Sequence, residues 1–115
     1  MRKYLILGTV LAVLVVFSNC HSAKKAQASK PKLSYEGSIQ TLIAGNCSPC
    51  HIPSKGGNKL PLDSYASAKE NIDDMIRRIE LEPGARGFMP FKHAKLSDST
   101  IAAFKQWRDE GLLEK

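Results

Sequence analysis

The sequence predicts an all-α fold built as one small domain. Three observations carry that reading. Apolar residues recur at three- and four-residue spacing in three separate stretches. No stretch shows a convincing strand pattern, and the segments between the periodic stretches are punctuated by glycine and proline. The chain has 115 residues, enough for one small domain at most. The foldable part runs from Leu33 to Lys115, and residues 1–32 read differently.

In chain order, the first periodic stretch is Tyr35, Ile39, Leu42 and Ile43, with Asn46 near its end. Ile52 to Leu62 follows, carrying Pro53, Gly56, Gly57 and Pro61, and reads as a loop. The second stretch is Tyr65, Ala68, Ile72, Met75/Ile76 and Ile79, with Asp63 or Ser64 as its N-cap. Glu82 to Lys95 is a second loop, in which Pro83, Gly84 and Gly87 break any helix. The third stretch is Ile101, Phe104, Trp107 and Leu112. Ser97 is its N-cap, Leu96 and Ile101 are placed to form a hydrophobic staple, and Gly111 suits its C-terminal stop. Large apolar groups are few, so the core is thin, and domains of this size usually need a staple such as a metal or a cross-link.

The N-terminal residues read as an export signal and a tether. Arg2 and Lys3 precede an apolar run from Tyr4 to Phe17, shorter than the ~20 apolar residues a transmembrane helix wants. Phe17-Ser18-Asn19-Cys20 resembles a lipobox, which gives a lipoprotein signal peptide over 1–19 and a lipid on Cys20. The alternative is ordinary signal cleavage or an uncleaved anchor, with Cys20 left as a free thiol. Residues 20–32 then form a lipid anchor and a flexible Lys-rich tether.

The formal charge of +6 is concentrated there, with lysines at 24, 25, 30 and 32 and no acid between His21 and Lys32. From Leu33 to Lys115 eleven basic residues balance eleven acidic ones. A nucleic-acid-binding domain needs a basic face of its own, so no nucleic-acid partner is expected. Lysines beside a lipid anchor suit anionic headgroups of a bilayer, or simply keep the tether soluble.

The stretch that carries chemistry is Cys47-Ser48-Pro49-Cys50-His51. Cys-x-x-Cys-His is the attachment sequence of a c-type haem: two thiols form thioether bonds to the porphyrin, and the following histidine donates an imidazole nitrogen to the iron. A bare Cys-x-x-Cys also fits a redox dithiol, half a zinc site or a disulfide. The adjacent histidine and the export signal favour haem. A zinc site would want further ligands, and only Cys20, His21 and His93 are left, with no paired spacing. Haem and lipid together would use all three cysteines.

Iron offers a second axial position, and Met89, followed by Pro90, is the candidate for it. Proline biases Met89 towards an extended backbone, and Phe88 and Phe91 flank the pair. His93 is the rival ligand. Met75 lies on the apolar stripe of the second helix and reads as core. The ring N–H of His51 is expected to find a carbonyl in Leu60-Pro61-Leu62. Arg77, Arg78 and Arg86 are candidates for pairing with haem propionates or simply solvated.

Taken together, a first helix, Cys47-x-x-Cys50-His51, a Gly/Pro loop, a middle helix, Met89-Pro90, Leu96-Ser97 and a last helix with Trp107 and Gly111 are similar to a small monohaem class I c-type cytochrome. The resemblance covers about Tyr35 to Leu112. It implies three main helices packed around a covalently bound haem c, over a domain from 33 to 115. It also implies that the first and last helices cross, with Ile39 and Ile43 facing Phe104 and Trp107, and that His51 and Met89 are the axial ligands. Many members of that family carry a small residue where this chain has Ile39.

The function expected from these readings is one-electron transfer rather than enzymatic catalysis. A six-coordinate iron has no vacant site for substrate, and methionine raises the potential. The expected location is the periplasm or cell envelope, at a membrane surface, with membrane or periplasmic redox proteins as partners. The protein would act as a monomer or as a module of a larger redox complex. Two other functions remain open: a five-coordinate haem protein for gas binding or peroxide chemistry, should Met89 not ligate, and a haem-free thiol–disulfide protein.

Overall fold

The computed structural model describes residues 30–115. The expected signal peptide, the lipid site at Cys20 and the tether up to residue 29 lie outside the described residues. Pro31 to Lys115 forms one compact unit, and it is all-α: among the described residues there is no strand, only an isolated parallel bridge between Ser34 and Leu113.

The first helix opens with a π-helical turn, Tyr35–Ile39, and continues as α1, Gln40–Asn46. Ser34 caps it by accepting from Gly37 N–H at 3.1 Å. The turn is wider than the sequence periodicity implies: the Gln40 N–H bonds back to Tyr35 O, an i to i+5 bond. Tyr35, Ile39 and Ile43 are all buried along it. A short 3₁₀ turn, Pro53–Lys55, lies in the next loop and is closed by Gly56 at φ 82°. Ile52 and Leu62, at the two ends of that loop, are core residues.

Helix α2 is Tyr65–Glu80, and of the two candidate caps Ser64 takes the role, accepting from Ser67 N–H. It buries Ala68, Ile72, Met75, Ile76 and Ile79, the face its spacing dictates. Helix α3 is Asp98–Asp109, capped by Ser97. Its end is a Schellman arrangement: Gly111 N–H bonds to Arg108 O and Leu112 N–H to Trp107 O. Gly111 sits at φ 99°, a left-handed conformation that favours glycine.

The core gathers where the first helix, α2 and α3 meet. Trp107, 0% exposed, stacks near Tyr35 and Tyr65, with ring centroids 6.1 and 6.4 Å away. Its indole N–H donates to Leu113 O at 2.8 Å. The chain after α3 folds back on the start of the domain, where Tyr35 N–H and Glu36 N–H donate to Leu113 O and Glu114 O. Leu33 N–H meets a Glu110 carboxylate oxygen at 2.8 Å. This clasp at one end leaves the other end of the helix bundle open between the two long loops.

Candidate functional site

That open end is a cavity of about 420 Å³, within the usual range for a small-molecule or cofactor site, ~300–1,000 Å³. One wall is Asn46 to His51. Leu60 and Leu62 come from the first loop, and Met75 and Ile79 from α2. Met89 to Phe91 and His93 come from the second loop, Leu96 from just after it, and Phe104 from α3. Cys47, Cys50, His51 and Met89, four residues that the sequence singles out, therefore face one space.

The motif wall extends the first helix. Asn46 Nδ2 donates to Leu42 O at 2.8 Å, Cys47 N–H bonds to Ile43 O, and His51 N–H bonds to Cys47 O at 3.0 Å. Both thiols are free. They differ in surroundings: Cys50 is exposed, whereas Cys47 is half-buried against the core, and burial pushes its thiol up to about 11. Cys47 therefore stays protonated at neutral pH until it reacts.

Gly57 packs directly under this wall. A Cβ there would lie 2.3 Å from Pro49 O and 2.6 Å from Cys50 O. The Gly56-Gly57 pair reads in the sequence only as loop punctuation, yet Gly57 is where one loop lies against the backbone of the motif.

The His51 ring is oriented by the first loop. Its Nδ1 lies 2.7 Å from Leu60 O, in the stretch where an acceptor is expected. A carbonyl oxygen only accepts, so Nδ1 carries a proton, and in the neutral ring the lone pair is left on Nε2. That tautomer is the one a metal ligand needs.

Met89 lines the same cavity from the second loop, is partly buried against the core, and its N–H donates to Arg78 O at 3.2 Å. The two flanking aromatics part ways. Phe88 is buried and does not line the cavity, whereas Phe91 lines it and is 66% exposed. His93 and Met75 line the same space. Met75 is thus both core, as its helical spacing implies, and cavity wall.

Of the three arginines, Arg78 alone reaches the cavity. It is not a free cation: Nε pairs with Asp74 Oδ2, and Nη1 lies 3.5 Å from Gly87 O. Asp74 also pairs with Arg77. Hydrogen bonds from Arg78 and then Arg77 hold its carboxyl below the usual carboxylate range. Asn71 and Asp74 line the cavity beside Arg78 and escape notice in a search for apolar periodicity. The signal was present: positions 71, 74, 75, 78 and 79 follow the three-four spacing of one helix face, with the polar members bordering the apolar stripe.

Among the described residues, no group of three or more His, Cys, Asp and Glu side chains comes together to hold a metal ion unaided. No family model, curated protein or solved structure matches this chain.

Proposed function

We propose that the chain is an electron carrier, a small class I c-type cytochrome that holds one haem c in the cavity between the motif and the Met89 loop. The observation that carries this reading is the donor set around a single apolar space. It comprises two free thiols in Cys-x-x-Cys-His, an imidazole whose Nδ1 is taken by Leu60 O, and a thioether lining the same space. A haem bound there supplies a one-electron couple at its iron.

In this reading Cys47 and Cys50 would hold the porphyrin, His51 Nε2 and Met89 Sδ would be the donors to its iron, and Leu60 O keeps the His51 ring in position. Phe104, Leu62, Ile79 and Leu96 exclude water from the site. The close approach of the first helix to α3, with Tyr35 against Trp107, suits the helix crossing of the cytochrome c fold. Leu60 and Phe91, 52% and 66% exposed, are the exposed large apolar residues of the described chain, and both line the cavity. An apolar rim of that kind suits brief docking with redox proteins at a membrane surface.

The test is to produce the whole chain alongside a cytochrome c maturation system and stain for haem after denaturing electrophoresis. Stain should persist in the wild type and vanish when Cys47 and Cys50 are both replaced by serine. An unstained wild-type band would return the motif to a thiol–disulfide role. Met89→Ala should change the ferric spectrum. An unchanged spectrum would remove Met89 as a ligand and favour His93, which lines the same cavity, or a five-coordinate iron open to gas or peroxide.

A further inference from the structure

Three potential iron donors besides His51 line one cavity: Met75, Met89 and His93. Met89 and His93 lie four residues apart on the same loop, so the loop's conformation decides which of them is presented. Its anchorage is uneven. His93 is exposed, and its N–H bonds within its own turn, to Pro90 O at 3.2 Å. The segment from Gly87 to Met89, by contrast, makes two hydrogen bonds to α2, both to one residue.

That residue is Arg78. Its backbone oxygen, near the C-terminal end of α2, accepts the Met89 N–H at 3.2 Å. Its Nη1 reaches Gly87 O at 3.5 Å, and a Cβ on Gly87 would come within 3.4 Å of that same nitrogen. The guanidinium therefore lies close against a residue at φ 92°, where glycine is favoured on conformational grounds as well. Asp74, one turn back on α2, fixes the guanidinium through Nε. Phe88, between the two contacts, is buried and anchors the same segment.

We infer that Arg78, oriented by Asp74, is a positioning residue that presents Met89 rather than His93 to the open side of the cavity. The inference rests on the proposed function, since it assumes an iron at the site. Arg78 itself ligates nothing. It acts through the Gly87–Met89 backbone, and because methionine and histidine ligation set different potentials, it thereby sets the potential.

The test uses the haem-loaded whole chain. The wild type should show the weak red sulfur-to-iron band of methionine ligation. Its absence would overturn the underlying ligand assignment, and this inference with it, before any variant is read. Given the band, Arg78→Gln and Asp74→Asn should both loosen the loop. Added imidazole, competing with Met89 for iron, should bind roughly fivefold more tightly, as expected from losing one long charge-assisted hydrogen bond. The sulfur band should weaken while the iron stays low-spin, as His93 takes the vacated position. Asp73→Asn, which loses only the exposed pair with Arg108, should leave band and imidazole affinity unchanged.

Imidazole affinity and sulfur band both at wild-type values in Arg78→Gln would overturn the inference. If that variant does not fold, Asp74→Asn decides alone by the same two readings.

Discussion

Replacing Gly57 with alanine tests whether the loop below the Cys-x-x-Cys-His motif is packed as tightly as its geometry states. The added Cβ would lie 2.3 Å from Pro49 O and 2.6 Å from Cys50 O. An unstrained carbon–oxygen contact is roughly 3.3 Å or longer, so the two backbones must part by about 1 Å. Neither neighbour is a flexible side chain that can swing away. Overpacking of this kind costs ~1–3 kcal/mol. Against it stands a gain of ~0.4–1 kcal/mol, because alanine narrows the unfolded ensemble at a position without positive φ. The collision wins, and the net loss is about 1–2 kcal/mol, or roughly 5–15 °C in Tm for a domain of this size.

Gly45→Ala is the matched control. It lies on exposed α1 with nothing within 4 Å of its Cβ, so the same chemistry should stabilise by ~0.5–1 kcal/mol through helix propensity. The assay is thermal unfolding of the whole chain by far-UV circular dichroism. The expected result is opposite signs at the two glycines. A Gly57→Ala protein as stable as the wild type would refute the close packing of Gly57 against the Pro49 and Cys50 backbone.

Other substitutions probe the rest of the fold. Tyr35 is 3% exposed and its hydroxyl has no hydrogen-bond partner, so Tyr35→Phe should be neutral or stabilise by up to about 1 kcal/mol; a clear loss in denaturant titration would reveal a bridging partner. Trp107→Ala empties the centre of the core and should cost ~3–5 kcal/mol, while Trp107→Phe, which removes one of the two donors to Leu113 O and leaves the Tyr35 N–H, should cost less; equal losses would mean that the hydrogen bond, not the packing, matters. Asp74 has a folded-state pKa below its usual 3.8, so its contribution is present above 3.8 and fades as pH falls through the lowered value. The stability gap between wild type and Asp74→Asn should therefore close on acidification, and a gap that widened instead would contradict the assignment of the Arg78 and Arg77 pairings.

What could be read from the sequence was what depends on local pattern. Helices α2 and α3 follow from their apolar spacing, and Ser64, Ser97 and Gly111 mark their ends because capping is a property of neighbouring residues. The acceptor for His51 was legible because a motif histidine needs one and the following loop is its nearest source. Non-local packing was less legible. Nothing in Tyr35 to Ile39 announces a π-helical turn, which depends on how the helix start is clasped by Leu113 and Glu114. Phe88 and Phe91 look equivalent as flanks of Met-Pro, yet one is buried and one is on the rim. Gly57 looks like any loop glycine until Pro49 and Cys50 are brought beside it, and Arg78 looks solvated until the loop carrying Gly87 returns to α2.

The central claim is that Cys47, Cys50, His51 and Met89 hold one haem between them. The most direct measurement is an absorption spectrum of the purified whole chain, oxidised and then reduced, after production with a cytochrome c maturation system. The account requires a low-spin spectrum with sharp reduced bands and the weak red sulfur-to-iron band in the oxidised form. High-spin iron, or a chain that carries no haem, would contradict it.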